Sequence, residues 1–139
     1  ARAGREPGHL PIWFDFIVSV GEDRDAVRRS IRARLCNRAN HNFRMGIHAV
    51  PEEHLPDVQA FRENYDESDV GHKTKNASLI TDYMVDRFAV VGTPDDVVAR
   101  FETLQEIGVE KVIVAMPFRL EERYEIIETL AREVMPRFA

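Results

Sequence analysis

Cysteine is nearly absent from this chain. Cys36 stands alone among 139 residues, so an intrachain disulfide and a cysteine-based zinc site are both excluded. Cys36 reads as a small hydrophobe on a helix, and a chain with so little cysteine fits a reducing cytoplasm. Long apolar runs are absent too. None approaches the roughly 20 residues of a membrane helix, so no membrane partner is expected. Residues Ala1–His9 are polar, carry Arg2 and Arg5, and lack the apolar centre of a signal peptide. The chain begins with Ala rather than Met, and we expect the natural start to lie elsewhere. A basic excess is also missing. The formal net charge is -5, which argues against nucleic acid as a partner, because a polyanion selects a basic face.

What is present is an ordinary globular composition, with 44% hydrophobic and 31% charged residues and enough length for one domain with a core. Ile12–Val20 (IWFDFIVSV) is almost continuously apolar, β-branched or aromatic, as in a parallel strand covered on both faces. Gly21 ends it. Asp23–Ala39 has Val27, Ile31 and Leu35 on one stripe, a helical period, with Glu22, Asp23 and Asp25 favouring its N-terminus. Residues 40–80 read as an irregular insertion, broken by Pro51 and Pro56, with a short helix near Asp57–Tyr65 and a polar loop over Tyr65–Asn76 (YDESDVGHKTKN). Loops of this length are commonly functional or disordered.

The last third is the best defined. Asp82–Phe88 is a short helix entered from Thr81, with Met84, Val85 and Phe88 inward. Thr93 caps the next helix, Pro94 takes its first position and Asp96 completes a capping box. Val97, Val98, Phe101, Leu104 and Ile107 form its apolar face, and Gly108 stops it. Val109–Met116 (VEKVIVAM) is a second strand, expected to be buried and ended by Pro117. A closing helix near Glu121–Met135 buries Ile127, Leu130, Ala131 and Val134 before Pro136. Two such strands separated by helices pair in parallel, but they cannot bury these faces alone, and a complete (β/α)8 barrel takes about 250 residues. The fold class is therefore α/β, with the chain either a piece of a larger sheet or a small self-contained domain.

One series is more specific. The run DYMVDRFAVVGTPDDVVARFETLQEIGVEKVIVAMP, over Asp82–Pro117, resembles the C-terminal segment of the luciferase-like oxidoreductases, the group of bacterial luciferase and the deazaflavin-dependent reductases. The likeness lies in Asp86-Arg87-Phe88, the apolar pair Val90-Val91, Gly92-Thr93-Pro94, and Gly108-Val109-Glu110 opening a strand. FDFIVSVGEDRDAVRRSIRARL is similar to an earlier strand–acidic turn–helix of that family, and Val134-Met135-Pro136 to its chain end. The resemblance implies the C-terminal portion of a (β/α)8 TIM barrel: about the last two strands with an inserted helical and loop segment, in one partial domain spanning 1–139. It implies a flavin- or deazaflavin-dependent oxidoreductase, by hydride transfer or monooxygenation, with deazaflavin (coenzyme F-420) favoured over FMN. Its partners would be a small-molecule substrate and the missing N-terminal part of the barrel, and exposed strand faces would favour homo-oligomers. The alternative is a non-catalytic flavin-binding relative or a free-standing α/β interaction domain.

Candidate site residues are few. Barrel active sites gather where strands end. The loop after the first strand holds Glu22 and Asp23, acids unsuited to a cofactor phosphate. The loop after Val109–Met116 holds Arg119, which can reach an anion and is the candidate cofactor-binding residue. His72 and Lys73, in the insertion, are the candidate substrate-binding residues, since a loop histidine can bind or move a proton near neutral pH. Gly92-Thr93-Pro94 lacks the spacing and lysine of a phosphate loop and reads as helix capping. His41, His48 and His54 have no metal-ligand spacing, so no metal is expected. No Ser/His/Asp triad can be argued, and the catalytic residues are not legible.

Overall fold

In the computed structural model, residues 11–47 and 49–139 are described. The polar start Ala1–His9 and His48 lie outside them. The element order is β1 (Ile12–Val20), α1 (Arg24–Met45), α2 (Leu55–Asn64), α3 (Asp82–Phe88), β2 (Ala89–Gly92), α4 (Pro94–Glu106), β3 (Val109–Ala115) and α5 (Leu120–Thr129). Short 3-10 turns precede α2 and α3, and α5 runs on through a π-helical turn, Leu130–Val134.

The sheet is parallel, with three strands in the order β2-β1-β3. The expectation of two strands is thus corrected. β2 is only four residues long, and what makes it a strand is its pairing with the C-terminal half of β1, from Ile17↔Ala89 to Val20↔Gly92. The other edge of β1 pairs with β3, from Ile12↔Val109 to Ile17↔Ala115. Strand side chains alternate between faces. Ile17, Ala89, Val91 and Ala115 join a core built by α1, α2 and α3, whereas Phe16, Val18, Val20, Val90 and Val114 join a second core built by α4 and the C-terminal helix. Helices therefore cover both faces of the sheet. A closed barrel carries its helices on the outer face alone, so this open arrangement differs from that geometry.

Local chemistry explains most element ends. Asp23 accepts from the Ala26 N–H and starts α1. Thr93 and Asp96 form the reciprocal capping box, with the Thr93 N–H donating to Asp96 at 2.8 Å. Gly92 has φ 145 and a Cβ there would lie 2.5 Å from the Asp96 carboxylate, so only glycine fits. Gly108, at φ 90, closes α4 as the sequence suggested.

Four expectations need correction. α1 runs six residues past Ala39, to Met45. Asn40, His41 and Asn42 are weak helix formers, but Phe43 is 1% exposed and packs edge-on against Phe61 and Phe88, which holds the extra turns. β3 is not a buried strand: it is a sheet edge, and Ile113 is 50% exposed. On the closing helix Ile126, not Ile127, enters the core, and Ala131 is exposed. Ile107 is 68% exposed, because α4 has already reached its C-cap there.

Candidate functional site

The strand order reverses at β1. The chain steps from β1 to β2 on one side and then crosses to β3 on the other, and the helices that follow β1 and β3 lie on opposite faces. In open α/β sheets, such a reversal leaves a crevice at the carboxyl ends of the strands where ligands bind. A cleft of about 220 Å³ lies on the β3 side of this reversal, between α1, the insertion and the loop after β3, lined by Ser30, Arg34, His72, Phe118, Arg119 and Glu122. A wider groove of about 510 Å³ adjoins it and shares Arg34 and Phe118.

Two of the three candidates from the sequence therefore meet. His72 reaches the cleft from the insertion and Arg119 from the loop after β3. Lys73 does not line it. Arg119 lies 3.7 Å from the half-buried Glu122 and 4.0 Å from the exposed Glu121, so its charge is partly balanced by acids. Arg34 escaped notice in the sequence. Its Nε donates to the Met116 carbonyl at 3.3 Å, and its guanidinium stands 5.3 Å from the Phe118 ring centroid. The signal for it is positional: Arg34 is one helical turn beyond Ser30, on the side of α1 that meets the loop after β3.

The insertion is an ordered polar loop. Asn76 is 4% exposed. Its side chain accepts from the Asp66 N–H at 3.0 Å and donates to the carbonyls of Asp66 and Asp69, both at 2.8 Å. The Thr74 hydroxyl donates to the Asp69 carbonyl, and the Asp69 carboxylate accepts from the Lys75 N–H. These bonds close the loop that carries His72. Separately, the Asp66 carboxylate accepts from the Ser68 hydroxyl and N–H, which draw it below its ordinary pKa.

Two other groups have clear electrostatics. Burial pushes the Asp96 carboxyl up, but the Thr93 N–H, the Arg24 guanidinium and the Thr93 hydroxyl outweigh it, so the pKa falls below its usual value. Arg24 reaches Asp96 at 2.9 Å and so links the start of α1 to the start of α4. Cys36 is buried, and burial pushes its thiol up to about 11; it packs as the small hydrophobe expected.

Asp86-Arg87-Phe88 turns out to be structural. Asp86 accepts from Arg28 of α1 at 2.6 Å, Arg87 donates to the Ala49 carbonyl at 2.9 Å and to the Tyr83 hydroxyl at 3.0 Å, and Phe88 sits against Phe43 in the core. These residues dock α3 on α1 and tie the insertion down. The family model for luciferase-like monooxygenases matches residues 1–111. The chain belongs to that family. Among curated proteins, this luciferase-like chain is 28% identical over 140 residues to the 5,10-methylenetetrahydromethanopterin reductase of Archaeoglobus fulgidus, covering 99% of the chain and 41% of the relative. It is 24% identical to the reductase of that name from Methanolobus tindarius, covering 96% of the chain and 40% of the relative. It thus spans about two fifths of the length of these relatives. The fold is similar to that of a solved coenzyme F420-dependent tetrahydromethanopterin reductase from Methanopyrus kandleri. The TM-score is 0.71 at 22% identity, over 99% of this chain and 38% of that one.

Proposed function

We propose that this chain is the C-terminal part of a deazaflavin-dependent oxidoreductase built on a larger (β/α)8 barrel, and that it has no turnover as an isolated piece. The observation that carries this reading is the match of nearly the whole chain to two fifths of two reductases. A parallel sheet of three strands accords with it, being too small to complete a barrel. A small-molecule substrate, a cytoplasmic location and homo-oligomers through the exposed strand faces belong to the same reading.

The residues present suit one end of such a cofactor. Arg34 and Arg119, contributed by two separate elements, offer guanidinium groups at one cleft, and guanidinium is well matched to a phosphate or carboxylate. His72, with Lys73 beside it, stands toward the substrate on the same rim. When bound, the deazaflavin ring supplies hydride transfer, and the protein's part is to hold and orient it. Arg119 would hold an anionic portion of the cofactor, and His72 would position a substrate group or its proton.

A second reading has one observation in its favour. Helices cover both faces of the sheet, with a separate core on each, which suits a self-contained α/β binding domain. Two measurements separate the readings. The first is the coding sequence upstream of Ala1, where we expect further strand–helix units. The second is coenzyme F420 titration of the 139-residue chain and of the longer product. We expect saturable binding and turnover from the longer product only. Tight binding by the short chain, or an upstream region without such units, overturns the first reading.

A further inference from the structure

The arginines of α1 divide by their partners. Arg28, Arg32, Arg34 and Arg38 are all half-buried. Arg28 pairs with Asp82 and Asp86, Arg32 with Asp82, and Arg38 with Asp15. Arg34 pairs with no carboxylate among the described residues. Its Nε donates to the Met116 carbonyl, and its two Nη atoms have no hydrogen-bond partner there. Withdrawing a cation from water without a counter-charge is unfavourable. The other three arginines therefore show what Arg34 lacks, which is an anion. Its guanidinium is also held still. The Met116 carbonyl fixes the Nε, and the Phe118 ring centroid lies 5.3 Å from the Cζ. The same loop is fixed from its far side, because Arg123 of α5 donates to the carbonyls of Pro117 and Phe118 at 2.7 and 3.2 Å. A receptor that is already ordered loses little freedom on binding. Arg119 is the opposite case. Its side chain is 62% exposed, and the acids that restrain it are Glu122 at 3.7 Å and Glu121 at 4.0 Å. Exposed pairs of that length are weak.

We propose that Arg34 is the fixed receptor of this cleft for a singly charged oxyanion, a carboxylate or a phosphodiester taken by its two Nη atoms, and that Arg119 is a mobile arm that leaves Glu122 to close over it. Two Nη donors side by side match two oxygens of such a group. Arg34 and Arg119 against Glu122 leave the cleft a single positive excess, which suits one negative charge rather than two. Ala33, Pro117 and Phe118 give the rest of the ligand an apolar wall. The seat stands on this geometry. That its occupant is an anionic portion of the coenzyme or the substrate rests on the reading of the chain as part of a deazaflavin-dependent oxidoreductase.

Heteronuclear NMR of the 139-residue chain tests the seat without the coenzyme. The probes are acetate, dimethyl phosphate and inorganic phosphate at alkaline pH, where it is a dianion, each titrated at constant ionic strength. We expect acetate and dimethyl phosphate to shift the Arg34 Nε–H resonance and the His72 and Phe118 amides saturably. The tighter of the two names the group, and inorganic phosphate should bind no more tightly than either. Read from the amides, Arg34→Gln should weaken binding about tenfold or more and Arg119→Gln about two- to fivefold. Glu122→Gln releases Arg119 and should tighten binding by about two- to fivefold. That variant leaves the Arg34 clamp intact, so it keeps the test open should Arg34→Gln disturb the loop. A parent without saturable shifts, or equal losses at Arg34 and Arg119, overturns the receptor. Tighter binding of inorganic phosphate overturns the singly charged class, and a Glu122→Gln variant that binds no more tightly overturns the arm. None of these results touches the oxidoreductase reading, which the coenzyme F420 titration judges separately. Failure of that titration in the longer product, with the seat confirmed, overturns the occupant assigned here and leaves the receptor.

Discussion

The two faces of the sheet are built differently. On the α1 side, three helices interlock around Phe43, Phe61 and Phe88, and Arg28 and Arg32 bridge to Asp82 and Asp86 across the α1–α3 seam. On the α4 side, a smaller cluster is covered by α4 and by Ile126, Leu130 and Val134 of the closing helix, while Phe14 and Ile127 remain 44% and 47% exposed. The lesson is that a run of apolar residues specifies a face but not its cover. The α1 side has found dense cover for its upper half within this chain, with Trp13 and Ile113 below it still half exposed. The α4 side covers its upper half with fewer residues and leaves Ile12 and Phe14 open below.

The sharpest way to break this contrast is Phe43→Ala. It opens a cavity where three aromatic rings meet, and we expect a loss of about 3–5 kcal/mol in urea denaturation, whereas truncating the half-exposed Phe14 should cost far less. Equal losses at the two positions would abolish the distinction between the faces. Asn76→Ala comes next. It leaves the carbonyls of Asp66 and Asp69 and the N–H of Asp66 without their side-chain partner, and we expect about 2–3 kcal/mol, with faster proteolysis of the loop that carries His72.

How much of this was legible can be judged residue by residue. Local signals were readable: the bounds of β1 and α3, the Thr93–Asp96 box and the Gly108 stop each depend on a few adjacent residues. What depended on distant partners was not. β2 is strand only because Ile17–Val20 lie beside it, and its four residues sit between a helix and a cap with no alternation to betray them. α1 outlasts its own propensity because Phe43 finds Phe61 and Phe88. The choice between Ile126 and Ile127 turns on where the closing helix meets the sheet. Of the candidate site, His72 and Arg119 were marked by side-chain chemistry and loop position; that they share a cleft, and that Arg34 lines it with them, depends on how α1, the insertion and the loop after β3 pack, which no local pattern encodes.

Asp96→Asn probes the connection between the faces. The Asp96 carboxyl lies below its ordinary pKa, so its contribution is fully present above the unfolded value of about 3.9 and fades as pH falls through the lower folded value. We expect the variant to lose about 1 kcal/mol near neutrality and to show a flatter acid limb in thermal melts than the parent. An unchanged acid limb would remove Asp96 from the pH response. The smallest effect on stability, within about 0.5 kcal/mol, is expected for Ile127→Ser. Its readout is association: Ile127 and Phe14 leave apolar surface uncovered, exposed patches promote contact, and the variant should scatter less light at equal concentration. Scattering that does not change would show that the open half of the α4 side is not sticky.

Cys36 gives the better-packed side a gauge of its own. The chain's single thiol sits within the α1 cluster, donates to the Arg32 carbonyl at 3.3 Å and is held at a pKa of about 11. While folded it is both shielded and protonated, and alkylating reagents attack thiolate. The rate at which Cys36 is labelled therefore counts the openings of that core directly, without an added probe.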